Sequence, residues 1–305
     1  MELRHLRYFL AVAEELNFTR AAKRLGINQP PLSTQIKQLE KELGTKLFRR
    51  ETRGVELTAA GKLFLEQARS ILQQIGQAKI DAKRRARGES GEICLGGAGA
   101  CYFHPRLALI MSEFFKSYPD VVMSPEETKT ATVVASLHAG KFDAAFVRSP
   151  AAEFDGLALE PIAEEDTIAA LPESHPLHQS PSLPIASLAK EKIILTPRAL
   201  NAGLYDSIVA ACRHAGFEPV LGREAPDLVA IIAMVAAGYG VSVIPQSLSR
   251  LRLTGVVYRP IRGHRPAVPI KLAHRLDERS PTVRNLIALI RRSAAASVAQ
   301  VKASA

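Results

Sequence analysis

One stretch of this 305-residue chain constrains its fold more than any other: residues 18–53, FTRAAKRLGINQPPLSTQIKQLEKELGTKLFRRETR. Its first part predicts a short helix capped by Asn17 or Thr19, because a short side-chain oxygen there accepts hydrogen bonds from free backbone N–H groups. Gly26 predicts the end of that helix, since glycine adopts the left-handed backbone conformation without strain. A second helical pattern follows almost at once, so the stretch predicts a helix–turn–helix.

The second helical pattern is amphipathic. Asn28 stands where its cap is expected, and its apolar side chains recur at helical spacing: Leu32, Ile36, Leu39 and Leu43. The side chains on the opposite face are short or carry amides near the start of the helix, and are cationic further along. The first kind suits contacts to base edges, and the second suits contacts to phosphates. A helix–turn–helix places the start of its second helix in the major groove, so residues 29–37 are the candidate base-reading end. An ordinary helix pair with a solvated polar face is the alternative.

Two short stretches after this helix predict a β-hairpin. Residues 47–50 and 55–57 form the expected strands, and residues 51–54 form the turn between them. A basic hairpin beside a helix–turn–helix is the wing of a winged helix, and it can reach phosphates or a minor groove. The residues expected to contact bases are Gln29, Pro30, Ser33 and Gln35. The residues expected to contact phosphates or a minor groove are Lys37, Arg50 and Arg53. The full set of predicted DNA contacts is Thr19, Gln29, Pro30, Pro31, Ser33, Thr34, Gln35, Lys37, Arg50 and Arg53.

Positive charge is concentrated in the first third of the chain. The formal net charge is +10, and residues 1–90 hold 18 Lys or Arg against 10 Asp or Glu, whereas residues 91–305 hold 22 against 20. A basic N-terminal part joined to a nearly neutral remainder suits a polyanionic partner for the first part only. A general solubilising bias is the alternative, but it does not explain why the excess coincides with the helix–turn–helix pattern.

The beginning of the sequence does not predict export. Residues 1–16 carry Glu2, Glu14 and Glu15 within a helical pattern and lack a small-residue cleavage site, so a first helix is expected there and not a signal peptide. No apolar run approaches the roughly 20 residues that a membrane span needs. We therefore expect a cytoplasmic protein.

A long helical pattern begins after Thr58 and continues to about Arg87. An apolar stripe recurs along it at spacings of four and three residues: Phe64, Ala68, Ile71, Ile75, Ala78 and Ala82. Such a stripe predicts a coiled-coil seam, and hence a dimer whose linker helices space two helix–turn–helix units for two half-sites. A helix packed on its own domain is the alternative.

Strand-like and helix-like patterns alternate after a break at residues 87–91. Strands are expected at 93–97, 121–125, 142–147, 167–171, 193–195, 241–244 and 268–273, and helices at about 105–118, 130–139, 204–215, 228–237 and 281–292. This alternation indicates an α/β architecture with a parallel, doubly wound sheet. The tail after residue 292 is expected to be frayed.

The second half carries no pattern typical of an enzyme or a metal centre. It lacks a nucleophile elbow, a P-loop and an HExxH motif, and the glycine-rich residues 96–99 lack the dinucleotide-binding spacing. Cys94, Cys101 and Cys212 form no CxxC pair or Cys/His cluster, so neither a disulfide framework nor a zinc site is expected. Cys101 follows a glycine-rich strand end, and a redox role for it is the alternative. We expect no catalytic residue, metal or cofactor.

The stretch AAKRLGINQPPLSTQIKQLEKELGTKLFRR, followed by LTAAG, resembles the DNA-binding domain of the LysR-type transcriptional regulators without a gap from Leu3 to Gly61. In the second half, FDAAFVR, LPESHPL, HAGFEP and VAAGYGVSVIP resemble the effector domain of that family. The resemblance implies an N-terminal all-α winged helix-turn-helix at residues 1–58, a long linker helix and hinge at 59–90, and a C-terminal α/β domain at 91–296. It also implies two Rossmann-like subdomains, 91–162 plus 267–296 and 163–266, similar to type 2 periplasmic binding proteins.

A crevice between these subdomains is the ligand site that the resemblance implies, and ligands of open α/β sheets do bind beyond the strand ends. Relatives that bind carboxylates often have Ser or Thr where this chain has Ala98, which leaves Thr130 as the main hydroxyl candidate. Alternatively, Thr130 only caps its helix, and Arg148 only pairs with Glu126 or Asp227. The predicted effector contacts are Ala98, Gly99, Thr130, Arg148, Asn201, Gly203, Leu204 and Asp227.

The resemblance implies a DNA-binding transcriptional regulator that responds to a small metabolite, aromatic or carboxylate. Its expected partners are double-stranded promoter DNA, the effector, further copies of itself in a homodimer or homotetramer, and RNA polymerase. Two alternatives come from other classes: a solute-binding protein without a regulatory role, and a cysteine-based redox-sensing regulator.

Overall fold

A computed structural model describes residues 1–51, 54–97, 99–128, 130–148 and 154–303. The chain divides into two compact units, Met1–Arg84 and Arg85–Ala305, which are described separately. Among the described residues, no helix combines the length and the apolar character that crossing a membrane requires.

The first unit begins with three helices, α1 (Leu3–Glu15), α2 (Phe18–Leu25) and α3 (Gln29–Leu43). Asn17 caps α2, because its Oδ1 accepts hydrogen bonds from the backbone N–H groups of Thr19 and Arg20 at 2.9 and 3.0 Å. Gly26 ends α2 in the left-handed conformation, with φ of +68°. Asn28 occupies the N-cap position of α3, but its side chain makes no capping hydrogen bond in the described structure. The predicted position of the cap is therefore confirmed, but its side chain does not supply the capping hydrogen bond.

A small core and a hairpin complete this unit. Leu32, Ile36 and Leu39 of α3 are buried against α1 and α2. The hairpin pairs β1 (Phe48–Glu51) with β2 (Gly54–Leu57) in antiparallel register, as expected for a wing. Thr58 then caps the long helix α4 (Ala59–Ala86), since its Oγ1 accepts from the Gly61 N–H at 2.9 Å.

The apolar stripe of α4 divides into two parts. Ala68 is fully buried in the core of its own unit, and Phe64 and Ile71 pack against the same core. Ala78 and Ala82, further along, are exposed. Ala68 is thus occupied within its own unit, so its predicted place in an intermolecular seam is wrong, whereas a seam through the rest of the stripe stays a prediction.

The second unit has an α/β architecture. Its helices and strands are β3 (Ser90–Gly97), α5 (Pro105–Ser117), β4 (Asp120–Glu127), α6 (Thr130–His138), β5 (Ala144–Arg148), β6 (Leu157–Pro172), β7 (Leu183–Pro184), β8 (Lys192–Ile193), α7 (Ala202–His214), β9 (Val220–Leu221), α8 (Leu228–Ala236), β10 (Ser242–Pro245), β11 (Val256–Arg262), β12 (Ala267–Arg275) and α9 (Pro281–Ala303). Eight of the described strands form one sheet, in the order β4-β3-β5-β12-β6-β11-β7, and β10 also pairs with β6. Short 3-10 turns cover Gly99–Phe103, Ile185–Leu188 and Gln246–Arg250.

This sheet is mixed, and the prediction of a purely parallel sheet is wrong. β3 pairs with β4 and β5 in parallel, but β12 pairs with β5 and β6 antiparallel. The first part of β6, to Asp166, pairs with β12, and its last part, from Thr167, pairs with β10 and β11. One long strand therefore runs through both halves of the unit, and its direction opposes the strands on either side.

The hydrophobic clusters of the described second unit are distributed as expected for two subdomains. One cluster with Ile93 and another with Phe142 lie on the first strands, and a third with Ile194 lies between β6 and β11. The expected end of α9 near residue 292 is wrong, because the helix continues to Ala303. The alanine-rich sequence SAAASVAQ has high helix propensity, which accounts for the extension.

Candidate functional site

The polar face of α3 is the first candidate site. Gln29, Pro30, Pro31, Thr34 and Lys37 are exposed, and the buried leucine and isoleucine side chains on the opposite face fix the rotation of the helix. Two further predicted contacts, Ser33 and Gln35, are half-buried on the flanks of this face, and Thr19 is exposed in the first turn of α2. The structure thus brings the predicted residues 29–37 together on one accessible surface.

Two of these side chains already make internal hydrogen bonds. The hydroxyl of Thr34 donates to the carbonyl oxygen of Pro30 at 3.1 Å, one turn earlier in the same helix. The amide oxygen Oε1 of Gln35 lies 2.9 Å from Nε2 of His5, a buried residue of α1. The hydroxyl oxygen of Thr34 and the amide nitrogen of Gln35 are therefore the atoms best placed to contact a ligand.

A buried carboxylate ties α3 to the wing. Oε1 of Glu40 accepts hydrogen bonds from the backbone N–H groups of Leu47 and Phe48 at 3.0 and 3.2 Å, and its Oε2 pairs with Lys46 at 2.8 Å. Sequence reasoning missed Glu40. Its position next to Leu39, at the edge of the buried face, was the available indication.

Among the basic residues of the wing, Arg49 has a described side chain. Arg49 pairs with Glu56 across the hairpin, with Nε 3.1 Å from Oε2. Arg50 lies opposite Val55 in the strand register, and its side chain lies outside the described residues, as does Arg53 altogether. The predicted roles of Arg50 and Arg53 stay predictions.

The cations of α2 and α3 differ in their pairing. Arg24 pairs with Glu14 at 2.8 Å, and this hydrogen bond raises the pKa of the guanidinium. Lys37 and Lys41 are exposed on α3, and within the described part of the chain no carboxylate pairs with either. Their charge is available to an anionic partner.

The second candidate site is a crevice of about 600 Å³ in the second unit, a size usual for small-molecule sites. Its described lining comprises Ala100, Phe103, Glu127, Thr128, Thr196, Leu200, Asn201, Pro226, Asp227, Leu228 and Val229. Asn201 and Asp227 were predicted from the sequence. Phe103, Thr128 and Thr196 were missed, because their proximity depends on how separate strands and turns come together.

Helix starts supply the two predicted polar groups of this crevice. Asp227 caps α8, and its Oδ1 accepts from the backbone N–H groups of Val229 and Ala230 at 2.8 and 2.7 Å. Asn201 caps α7 by accepting from the Leu204 N–H at 3.4 Å. Gly203 and Leu204 are buried in the first turn of α7, and Leu204 belongs to the hydrophobic core.

Arg148 does not line the crevice. Its guanidinium is buried, pairs with the buried Glu165, and donates through Nη2 to the carbonyl oxygen of Ala100 at 2.9 Å. Glu165 also accepts from the backbone N–H of Ser247 at 2.6 Å. The suggested partners Glu126 and Asp227 were therefore wrong, and the positive charge of Arg148 is neutralised by Glu165.

Three predicted effector contacts fall at or beside gaps in the described structure. Ala98 lies outside the described residues. Gly99 begins the turn Gly99–Phe103, and Thr130 begins α6 with its side chain outside the described part. The neighbouring Thr128 is described, lines the crevice, and shares a hydrogen bond with the Thr132 hydroxyl at 3.0 Å.

The charged side chains in the described lining of the crevice are carboxylates. Glu127 and Asp227 contribute them, and the described lining contains no lysine or arginine. At the start of α8, the carboxylate of Asp227 already accepts from the N–H groups of Val229 and Ala230. The apolar surface of Phe103, Leu200 and Leu228 suits an aromatic or aliphatic body.

The cysteines lack the features of reactive thiols. Burial raises the pKa of the Cys101 thiol and raises that of Cys212 to about 11. Burial is also the main cause of the raised pKa of Cys94, and Glu126 and Asp143 contribute. Peroxide reacts with thiolates, so these environments do not favour a redox role. The described residues contain no group of three or more His, Cys, Asp or Glu side chains that could hold a metal ion.

Comparisons with known proteins cover both units. A model of the LysR substrate binding domain matches residues 86–295, and a model of the bacterial regulatory helix-turn-helix protein, lysR family, matches residues 3–62. The chain is 40% identical to the HTH-type transcriptional regulator BudR of Raoultella terrigena, over 94% of this chain and 99% of that protein. It is 38% identical to the HTH-type transcriptional regulator AlsR of Bacillus subtilis (strain 168), over 94% of each.

Solved structures give the same result. Full-length CbnR complexed with its target DNA aligns with a TM-score of 0.84 at 34% identity, covering 96% of this chain and all of that one. CbnR alone, described as a LysR family transcriptional regulator, aligns with a TM-score of 0.86 at 33% identity, covering 95% of this chain and 100% of that one. The sequence motifs, the winged helix-turn-helix, the α/β unit and these matches together show that the chain belongs to the LysR family of transcriptional regulators.

Proposed function

We propose that this regulator binds double-stranded promoter DNA through the exposed face of α3 and the adjoining wing. The observation that carries the proposal is the shape of α3: residues 29–37 present short, amide and cationic side chains from a helix whose opposite face is buried. The relative CbnR is solved with its target DNA, which supports DNA as the partner of this chain. Ser33, Gln29 and Pro30 would face bases, and Lys37 would contact a phosphate.

Salt-dependent binding tests this assignment. A phosphate contact contributes to affinity for every sequence and makes affinity fall as salt rises. Lys37→Ala should therefore weaken binding to all duplexes alike and reduce the slope of log affinity against log salt by about one. Ser33→Ala should leave that slope unchanged and reduce the preference for one base pair. A base-selective loss in Lys37→Ala would contradict its role.

We further propose that the protein acts as a homodimer or homotetramer. The exposed second half of the α4 stripe, around Ala78 and Ala82, supplies an unpartnered apolar surface for a second copy. Two helix–turn–helix units would then match a partly palindromic operator. The division into residues 1–58, 59–90 and 91–296, a cytoplasmic location and a contact with RNA polymerase stay predictions.

A small-molecule effector in the crevice would provide the regulatory input. We infer that it has an aromatic or aliphatic body and is uncharged or cationic, because Glu127 and Asp227 line the crevice and Arg148 is committed to Glu165. A carboxylate metabolite, the other class expected from the sequence, gains no described cationic partner there. The effector would regulate by binding one arrangement of the protein more tightly than another. No observation favours a solute-binding or redox-sensing role.

A further inference from the structure

His5 is a buried histidine that the DNA-binding role does not by itself require. It lies in the first turn of α1 and is 1% exposed. Its Nδ1 is 3.0 Å from the backbone nitrogen of Glu2, and its Nε2 is 2.9 Å from Oε1 of Gln35, 30 positions away on α3. The ring therefore joins the start of α1 to the candidate base-reading helix.

The first of these contacts determines where the ring proton lies. A backbone N–H can only donate, so Nδ1 of His5 must accept with its lone pair. A neutral imidazole then carries its proton on Nε2, which makes Nε2 the donor toward Gln35. The atom of Gln35 facing the ring must accordingly be its carbonyl oxygen, and the tautomer fixes an amide orientation that side-chain shape alone leaves open.

This orientation leaves a defined group at the outer end of Gln35. The side chain is half-buried at the edge of the polar face, one turn from the exposed Pro31 and Gln38. With Oε1 turned toward His5, the NH₂ group forms the other end of the amide and lies on the side away from the ring. We propose that His5 is a positioning residue that holds the NH₂ group of Gln35 outward as a hydrogen-bond donor to DNA, an inference that rests on the proposed function of α3.

A glutamine whose amide orientation is fixed reads bases differently from one whose amide can turn over. A free amide can present either its NH₂ group or its oxygen to a base edge. In the orientation that His5 fixes, the NH₂ of Gln35 can donate to N7 of adenine, to N7 or O6 of guanine or to O4 of thymine, which are acceptors in the major groove. Cytosine presents only its N4 donor there and is therefore excluded.

Enrichment of binding sites from a pool of random-sequence duplexes tests the proposal without knowledge of the operator. The full-length wild-type protein should exclude cytosine at the base that Gln35 contacts. Gln35→Glu keeps an acceptor for the His5 N–H but presents an acceptor outward, so the preference there should change to cytosine, whose N4 donates. His5→Phe lets the amide turn over and should raise the frequency of cytosine there by roughly tenfold over wild type.

Gln38→Glu is the matched control, because it adds the same charge one turn further along the exposed side of α3 without touching His5. A loss of DNA affinity shared by Gln35→Glu and Gln38→Glu is an effect of charge. A change of base preference that occurs only in Gln35→Glu supports the proposal. Gln35→Glu remains informative if His5→Phe does not fold. Unchanged base preferences in a folded Gln35→Glu would overturn the role of His5 alone, whereas failure of the wild type to enrich any sequence would overturn the proposed function.

Discussion

At the scale of single residues, a buried ion pair joins Arg148 to Glu165 in the second unit. Both side chains are nearly inaccessible to water, and Glu165 also accepts the Ser247 N–H at the start of the turn Gln246–Arg250. A buried ion pair gives little net stability compared with apolar residues, but removal of one partner leaves an uncompensated charge. The pair therefore holds the end of β5, the middle of β6 and this turn in one arrangement.

Neutralising Glu165 should lower the free energy of unfolding far more than neutralising its neighbour Asp166. We expect Glu165→Gln to lower the free energy of unfolding by about 3 kcal/mol, because the Arg148 guanidinium stays buried without its counter-charge. Asp166→Asn breaks an exposed pair with Arg265 and should cost below about 1 kcal/mol. Chemical denaturation of the two variants measures the difference, and equal losses would show that burial does not control the energy of these pairs.

Local chemistry could be predicted from the sequence, and long-range pairing could not. Asn17, Gly26 and Thr58 act on backbone groups within four residues, so their capping and turn roles follow from residue type and spacing. The bond between His5 and Gln35 spans 30 positions, and its existence depends on how α1 packs on α3. For the same reason the sequence suggested the wrong partners for Arg148.

At the scale of secondary-structure elements, α4 shows how one stripe can serve two surfaces. Its first part buries Ala68 in the core of the first unit, whereas Ala78 and Ala82 remain exposed. Helical spacing predicts which residues share a face, but it does not say which surface covers each part of that face. Ala68→Glu would therefore place a charge in the core and disrupt the fold of this unit, so it cannot test self-association.

Ala78→Glu provides the cleaner test of self-association. Ala78 is exposed in one chain, so the substitution should leave the thermal stability of the monomer unchanged while repelling a second copy. We expect the molar mass from light scattering to fall toward that of one chain. Gln73→Glu adds the same charge on a different side of α4 and should leave the assembly intact. Equal molar mass for Ala78→Glu and wild type would place the interface elsewhere.

The attachment of α9 to the sheet should depend on acid pH. Glu160 of β6 accepts hydrogen bonds from Arg291 of α9, including one at 2.9 Å from Nε, and this contact is the main cause that holds its pKa below the usual value. Since the pKa is lowered on folding, the contribution to stability is complete above the unfolded pKa of about 4.3 and is lost as pH falls below it. Glu160→Gln should therefore melt lower at neutral pH and lose less stability between about pH 5 and pH 3.

Asp206→Asn is the comparison for this titration. Asp206 also has a lowered pKa, caused mainly by its hydrogen bond to Arg198, but both side chains of that pair are largely exposed. Because water screens this exposed pair, Asp206→Asn should change the loss of stability at acid pH only slightly. If the melting temperature falls equally in wild type and Glu160→Gln between about pH 5 and pH 3, the Glu160–Arg291 contact does not have the proposed role.

At the scale of the whole molecule, family membership and fold were predictable from the motifs, while the sheet was not. Alternating strands and helices suggested a parallel sheet, but β6 and β12 run antiparallel to their neighbours. Their extended pattern contains no marker of direction. Two of the predicted effector contacts, Asn201 and Asp227, line the crevice, whereas Arg148 is paired with Glu165.

Ligand charge tests this reading of the crevice. Benzoate, benzamide and benzylamine have similar bodies and differ in charge, and thermal shift of the full chain should be larger for benzamide and benzylamine than for benzoate. Glu127→Gln should reduce the shift with benzylamine and leave that with benzamide unchanged. Lys129 lies outside the described residues, so Lys129→Gln belongs in the same series. A benzoate preference that disappears in Lys129→Gln, or no shift with any of the three compounds, would contradict the inference.

Competition between duplexes tests the central claim most directly. A labelled duplex, enriched by the full-length protein from a random pool, is challenged with an excess of unlabelled scrambled duplex at physiological salt. If α3 reads base edges, the labelled complex should persist with wild type, and Ser33→Ala and Gln29→Ala should each lose part of that preference. Equal competition by scrambled and enriched duplexes, for wild type as for the variants, would contradict the account.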